Sequence, residues 1–530
     1  MSFPRLAPLG SAAFCVELGA SLASETNARV RALDRELERR PFDGFREAVP
    51  TLCSLLVLYD AAAIRPAAVV RELEARLARL DSAPATPGRL HALETRYGGD
   101  DGPDLEPLAR ARGLSERELV ALHTGSEYTA FMLGFKPGFA YLGLVPEPLA
   151  CSRHGTPRVR VPAGSVGLAG RQTGVYPVSS PGGWQLIGRT SVPLFDPWRE
   201  QPSLIAPGDR VRFVAVPELE APARSAAPRT AASSSPVALV REPGLLTTVQ
   251  DGGRFGHRRW GVGSAGPVDG KALAAVNRAV GNRADAAALE CTVAGPLLEF
   301  LAPVHFAVAG ADLGAVLERA DLGDWPLPRG ASVLARPGNR LRFTGRRDGC
   351  RAYVALRGGI DVPPVLGSRS TDLASGFGGL DGRALRADDR IAVLPPSRGE
   401  SVRSQAAPQA GSVRVRVVLG PQEQHFAADT VARFLADGWR VAATSDRIGL
   451  RLEGEPLRHH GAAEILSDGM VPGSIQVPPD GRPIVMLADG PTTGGYPKIG
   501  TVLTSDLPLL AQLLPGEGDV RFEKVSLDDL

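Results

Sequence analysis

The hydrophobic pattern changes period twice along the chain. Residues 12–18 read as a strand, and Leu52 to Leu58 is an apolar run of the length of a buried strand. Between and after them the apolar positions take helical spacing: Val30, Leu33 and Leu37 within 26–40, then Val69, Val70, Leu73, Leu77 and Leu80 within 66–80. An α/β unit is therefore expected over residues 1–85. After residue 130 short β-type runs alternate with Gly and Pro about every 8 to 12 residues, the texture of barrels and sandwiches. That texture defines a β-rich domain over 86–215 and returns over 237–410 and 411–530, broken by helices expected near 269–280, 284–291 and 427–437. In the first of these Asp269 caps the N-terminus, Leu273, Val276 and Val280 form the inner face, and Gly281 ends the helix. The expected fold class is α+β, mainly β: an N-terminal α/β domain followed by three barrel-like β units.

Residues 216–236 are Pro, Ala and Ser with few large apolar side chains. Such a stretch cannot bury enough surface to order itself and reads as a flexible linker between two halves. The halves share short matches in the same order. Val161-Pro162 and Gly164-Ser165 match Val471-Pro472 and Gly473-Ser474, and Thr173-Gly174-Val175-Tyr176-Pro177 matches Thr493-Gly494-Gly495-Tyr496-Pro497. Both halves close on a Pro-Gly turn and a strand, Pro207-Gly208 to Phe213 and Pro515-Gly516 to Phe522, and Pro337-Gly338 to Phe343 repeats that ending. Related barrels in the two halves are expected.

Composition narrows the function classes. The 530 residues carry 60 basic and 58 acidic side chains, a net charge of +2, so the lopsided basic footprint of a nucleic-acid binder is absent. Cys15, Cys53, Cys151, Cys291 and Cys350 are odd in number, scattered and never spaced CxxC, which supports neither a disulfide framework nor a thiolate metal site. No signal-peptide pattern opens the chain and no apolar run spans a bilayer, so a cytoplasmic protein without a membrane partner is expected. A homo-oligomer is compatible with the sequence, but no heptad specifies one. The chain has no Walker-A loop, no HExxH or paired His at metal spacing, no GxSxG elbow and no Lys between two Met as in a biotin carrier.

The densest chemistry lies in 123–190. Tight Gly turns separate His123, Lys136, Arg153, Arg158, Gln172, Tyr176 and Arg189, groups able to meet a small anionic or amide substrate, and Trp184 supplies a flat apolar wall. Further on, Asn277 shares the inner face of its helix and needs buried partners. Asp446-Arg447 reads as a pair at a turn. Lys498, one of four lysines, sits on a Gly-Gly-Tyr-Pro turn where a cation could meet a carboxylate or phosphate.

Several motifs in order carry a family resemblance. Tyr97-Gly98-Gly99, Asp104-Leu105, His123, Tyr128, Gly134-Phe135, Pro137-Gly138-Phe139, Tyr141-Leu142-Gly143, Pro157-Arg158, Val161 to Gly167, Gln172 to Pro177 and Ser180 to Thr190 resemble allophanate hydrolase subunit 1, also called the 5-oxoprolinase B subunit, over residues 10–215. Thr248 to Asp251, Gly253-Arg254, Asn277, Gly281-Asn282, Glu290, Gly358-Gly359-Ile360, Gly367 to Ser370, Ser445 to Leu452, Ser467-Asp468, Gln476 to Pro478 and Thr492 to Lys498 resemble allophanate hydrolase subunit 2, or the 5-oxoprolinase C subunit, over 237–525. Both families are related to the carboxyltransferase part of urea carboxylase. Ala140 and Gly263 stand where the families commonly have Pro.

The resemblance implies cyclophilin-like barrels and the B/C component of an ATP-dependent 5-oxoprolinase. That enzyme opens 5-oxo-L-proline to L-glutamate, with ATP and Mg2+ and with a separate A-type subunit as partner. Asp251, Glu290, Asp446 and Lys498 are the expected catalytic residues. Arg254, Asn277, Asn282, Ser368, Arg369, Arg447, Asp489, Thr493 and Tyr496 join His123, Arg153, Arg158, Gln172, Tyr176, Trp184 and Arg189 as expected substrate-binding residues, and no metal ligand is assigned. Two other readings stay open: a carboxyltransferase acting on urea or a similar amide, its biotin brought by a partner protein, and a histidine-kinase inhibitor-type binding protein.

Overall fold

The apolar stripes of the two N-terminal helices close over one face of a four-stranded antiparallel sheet. The sheet runs Arg5–Pro8, Ala13–Glu17, Ser54–Tyr59, Phe45–Pro50 in spatial order. Helices Ser24–Arg39 and Pro66–Leu77 bury Val30, Leu33, Leu37, Val69 and Leu73 against Val16, Leu55 and Val57. The computed structural model describes residues 3–80, 88–220, 235–396, 399–403 and 411–529. Most of the linker expected at 216–236 lies outside the described residues.

Two closed seven-stranded barrels follow the same path. Round the first barrel, Leu90–Tyr97 neighbours Gln185–Arg189, then Ser165–Ala169, Gln172–Val175, Ala140–Gly143, Glu127–Leu133 and Arg210–Ala215, which closes on the first strand in parallel. Round the second, Ser412–Leu419 is followed by Lys498–Val502, Ser474–Gln476, Ile484–Met486, Gly449–Glu453, Trp439–Val441 and Asp519–Lys524, again closing in parallel. Each barrel also carries a two-stranded flap, Arg158–Val161 with Ser180–Gly182 and Asp468–Gly469 with Thr493–Gly494.

The expected repeat is therefore real, but one of its matches is displaced. Ser165 pairs with Arg189, and Ser474 pairs with Thr501. That register equates Gly182-Gly183-Trp184 with Gly494-Gly495-Tyr496, and Leu186 with Lys498. Thr173 to Pro177 instead lies in the strand equivalent to Ile484–Met486 and just after it. Gly-rich segments resemble one another too readily for a five-residue match to fix register.

Between the barrels, residues 236–392 form six-stranded and five-stranded open sheets rather than a third closed barrel. Ala238, Val240 and Leu298 of one sheet and Leu289, Val308 and Val354 of the other share one core. Helix Gly270–Ala279 is capped by Asp269, whose side chain accepts from Ala272 N at 2.9 Å, and packs on Val304–Asp312 and Asp348–Leu356. The helix expected at 427–437 forms as Ala428–Ala436. The helix expected at 284–291 does not form. Its Ala run favours a helix locally, but Ala288–Thr292 is a strand held between Leu246–Gln250 and Asp348–Leu356, where ladder pairing and burial override propensity.

Candidate active site

A cleft of about 320 Å³ opens where the N-terminal unit meets the second barrel. Glu17, Gly19, Cys53 and Ser54 line one side; Gln422, His425, Glu464, Leu466 and Asp468 line the other. Asp468 begins the flap strand Asp468–Gly469, which lies on the strand Ser54–Tyr59. A Cβ on Gly469 would stand 2.6 Å from Leu56, so only glycine permits this approach.

Asp468 gathers donors from both halves. Its carboxylate accepts from Lys498 Nζ at 3.2 Å, Gln422 Nε2 at 3.1 Å, Cys15 Sγ at 3.4 Å and the Ser54 hydroxyl. The Gln422 amide oxygen in turn accepts from Lys498 N at 3.2 Å. Burial pushes the Asp468 carboxyl up, but Lys498 and the hydrogen bonds from Ser54 and Gly469 outweigh it and hold the group below the ordinary carboxylate range. The same carboxylate, after burial itself, raises the Cys15 thiol far above its usual value, so Cys15 stays protonated.

The first barrel carries a related cluster at equivalent positions. Asp104 accepts from Leu186 N at 2.6 Å, Arg158 at 2.7 Å and His154 at 3.2 Å. Arg158 begins its flap as Asp468 begins the other. An ion pair thus braces the base of each flap, with Arg158 where the second barrel has Asp468 and Asp104 where it has Gln422.

An aromatic wall adjoins the cleft. Tyr176 and Trp184 pack with Phe139 and Tyr141, and Leu466 of the cleft packs against this cluster. The Tyr141 hydroxyl lies beside Ser467 and Thr493, and exposed Arg153 acts electrostatically on both Tyr141 and Tyr176. Thr493 Oγ1 also accepts from Phe135 N at 3.1 Å. The structure thus brings Lys498, Thr493, Tyr176, Trp184 and Arg153 to one junction, with half-buried Tyr496 on the loop whose Gly495 carbonyl accepts from Ile465 N.

A second group of the expected residues forms a buried ion cluster. Arg447 donates to both oxygens of Asp489 at 2.8 and 2.9 Å, to Gly266 O at 2.8 Å and to Glu290. Tyr353 donates to Glu290 at 2.6 Å, and Val268 N donates at 3.0 Å. Burial alone would raise Glu290, but Arg447 and Arg351 keep it below the ordinary range. Glu290, Arg447 and Asp489 thus join the sandwich to the second barrel, and none of the three lines the cleft at Asp468.

Other expected site residues are placed elsewhere. His123 is wholly buried in the first barrel between Tyr97 Oη at 2.7 Å and Thr173 Oγ1 at 2.9 Å, and burial lowers it to about 3. Asn277 ties down the next loop by donating to Ala286 O at 2.8 Å, and its carbonyl accepts from Asn282 Nδ2 at 3.0 Å. Arg254 is buried, donating to Val365 O and Ser370 O with its guanidinium over Phe377. Arg189 lies on the surface with Ala163 O and Asp101. Gln172 is buried in its barrel strand. Asp446 is exposed and accepts from Ile448 N and Gly449 N in a turn, apart from the side chain of Arg447. Asp251 accepts from Ser368 Oγ, Ser370 Oγ and Arg369 N, each at 2.6 Å, and so shapes the 367–371 loop.

Comparison with known families matches both halves. The carboxyltransferase domain, subdomains C and D, matches residues 4–205; subdomains A and B match residues 260–524. The chain belongs to the carboxyltransferase-domain family. Its N-terminal half is 40% identical over 224 residues to the 5-oxoprolinase B subunit of Bacillus subtilis, covering 40% of this chain and 93% of that one. Its C-terminal half is 40% identical over 288 residues to the 5-oxoprolinase C subunit of Escherichia coli, covering 54% of this chain and 90% of that one. The crystal structure of TTHA0988 is 38% identical with a TM-score of 0.83, covering 96% of this chain and 99% of that one. The chain is thus a fusion of homologues of the 5-oxoprolinase B and C subunits.

In this carboxyltransferase-family fusion, Lys498 is wholly buried behind Asp468, and it is Asp468 that lines the cleft. Asp468, Gln422, Ser54 and Cys15 were not among the expected site residues. Ser467-Asp468 sits in a motif of the family, but the meeting of Cys15 and Ser54 with Asp468 across 453 and 414 positions has no local signature. Among the described residues, no group of three or more His, Cys, Asp or Glu side chains is placed to hold a metal ion. No described helix is long and apolar enough to cross a membrane.

Proposed function

We propose that this chain is the B/C component of a cytoplasmic ATP-dependent 5-oxoprolinase, which opens 5-oxo-L-proline to L-glutamate together with a separate A-type subunit. The observation that carries the reading is the composite cleft. Ser54 and Cys15 of the B-like half and Asp468, Gln422 and Lys498 of the C-like half build one polar centre, so neither half holds it alone.

Asp468 is held ionised and therefore acts as an acceptor that orients a lactam N–H or a water, not as a store for a proton. Gln422 fixes its rotamer. Lys498, without contact to the cleft, is a positioning residue that keeps the charge on Asp468. His425 stands in the cleft wall, where its ring nitrogens can meet a substrate by hydrogen bond. Leu466 and the aromatic wall behind it exclude water from the apolar ring edge.

ATP would supply the driving force for an uphill amide opening by activating the amide oxygen. The cleft does not fit a triphosphate with Mg2+. Glu17, Glu464 and Asp468 line it, and its nearest cations, Lys498 and Arg5, are already paired with Asp468 and Glu17. No step at this cleft is therefore routed through the nucleotide.

The test is to purify the full chain with and without a candidate A-type subunit and to follow glutamate and ADP from 5-oxoproline and ATP. Glutamate formed only with the A-type subunit supports the proposal. Consumption of carboxylated biotin carrier with urea, and no glutamate, supports the carboxyltransferase reading that the family's description favours. Loss of a histidine kinase's autophosphorylation with neither reaction supports a binding protein.

A further inference from the structure

The sandwich of residues 236–392 holds a second cleft, of about 340 Å³, remote from Asp468 in sequence and walled by different elements. It is lined by Asp251, Arg283, Asp285, Gly358-Gly359 and Arg369. We propose that this cleft binds a small oxyanion, a carboxylate or a phosphoryl group, on the Arg369 guanidinium.

Hydrogen-bonding capacity singles out Arg369. The two carboxylates of the cleft are already engaged. Asp251 Oδ1 accepts from Ser368 Oγ, Ser370 Oγ and Gly253 N, and Oδ2 accepts from Arg369 N. Asp285 is held by Arg283 through two hydrogen bonds of 3.1 and 2.9 Å. Arg369 differs: among the described residues its guanidinium has no hydrogen bond or ion pair, so its terminal N–H groups, unlike the enclosed Nε, are free to meet a ligand. A guanidinium is a planar fork of donors suited to bidentate contact with carboxylate or phosphate. The formal charges of the four side chains cancel, so unsatisfied donors and not net charge would select the ligand.

The loop is also built to hold that side chain in place. Leu366 has φ 51° and Gly367 φ 78°, a turn that reverses the chain just before Arg369, and three hydrogen bonds from Ser368, Arg369 and Ser370 to Asp251 pin the loop on both sides. Opposite, a Cβ on Gly358 would stand 2.0 Å from Leu394 O, and one on Gly359 would stand 3.3 Å from Ala286 Cβ, so any side chain there would distort the wall. Anion binding at Arg369 is independent of the 5-oxoprolinase reading.

Isothermal titration of the full chain at low ionic strength, with inorganic phosphate and with malonate as probes, tests it. At least one probe should bind, identifying the class. Arg369→Gln should weaken binding at least tenfold, Arg369→Lys less, and Lys498→Met, titrated at a temperature where its melting curve shows it folded, not at all. Among the described residues the Arg369 side chain makes no hydrogen bond or ion pair, so Arg369→Gln should retain the wild-type melting temperature within about 2 °C. Binding of neither probe, or equal binding by wild type and Arg369→Gln, would overturn the proposal; so would binding lost in Lys498→Met but kept in Arg369→Gln, which would place the anion in the first cleft.

Discussion

Asp468 and Lys498 form an ion pair of 3.2 Å whose side chains are 9% and 0% exposed. Such a pair contributes little net stability over apolar packing, yet removing one partner strands a buried charge and costs about 3–5 kcal/mol. Lys498→Met should lower unfolding free energy by that amount in urea titrations. Lys498→Met with Asp468→Asn should recover part of the loss, because the amide can still bond Ser54 and Gln422 without a charge. A double variant as unstable as the single one would show that the pair is not electrostatically coupled.

Arg447 is tied to more partners still. It bonds Asp489, Glu290 and Gly266 O together, and a Lys has neither the fork nor the reach for all three. Arg447→Lys should destabilise the chain by several kcal/mol, about the cost of a broken buried pair. Thermal melts should show the second barrel and the sandwich losing cooperativity. A Lys variant within about 0.5 kcal/mol of wild type, the range of neutral surface changes, would contradict the cluster's role.

His123 makes stability depend on pH. Its folded pKa lies near 3, below the ordinary value of about 6.5, so the fold favours the neutral ring. The stabilisation is fully present above about 6.5 and is lost as pH falls from there toward 3, by up to about 1.4 kcal/mol per pH unit. His123→Gln should be less stable than wild type at pH 7 and should lose less on going to pH 5. Urea midpoints at the two pH values read this directly; parallel losses in the two proteins would rule it out.

Asn277 separates structure from chemistry. It is fully buried, and its partners are Ala284 O, Ala286 O and Asn282. Asn277→Ala should cost roughly 1–3 kcal/mol by leaving those groups unpaired. Turnover per folded molecule should be unchanged; a large fall in kcat with normal stability would return Asn277 to the site.

Much of the scaffold was legible in the sequence because it is carried by period. The stripes at Val30, Leu33 and Leu37 and at Val69 and Leu73, and the Asp269 cap, are local signals that tertiary packing reinforced. The 284–291 helix failed because Ala286 to Ala288 have no stripe to oppose a ladder on both sides. The repeat was readable in Val-Pro and Gly-Ser, where turn chemistry limits the alternatives, and misaligned at the two Thr-Gly-x-Tyr-Pro matches, where Gly-rich turns recur. Site residues were harder. His123, Asn277 and Arg254 are buried with partners inside the scaffold, so polarity within a motif does not by itself place a residue in a cleft. Asp468 does not stand out locally, because its partners Cys15 and Ser54 come from the opposite end of the chain.

The most direct measurement is glutamate formed from 5-oxoproline and ATP by the full chain with a candidate A-type subunit, comparing wild type with Asp468→Asn of verified fold. Wild type should produce glutamate and ADP together, and Asp468→Asn should be slower by about a hundredfold, the scale of a reacting group held out of place. No glutamate from wild type, or equal rates from both proteins, would contradict a 5-oxoprolinase site at Asp468.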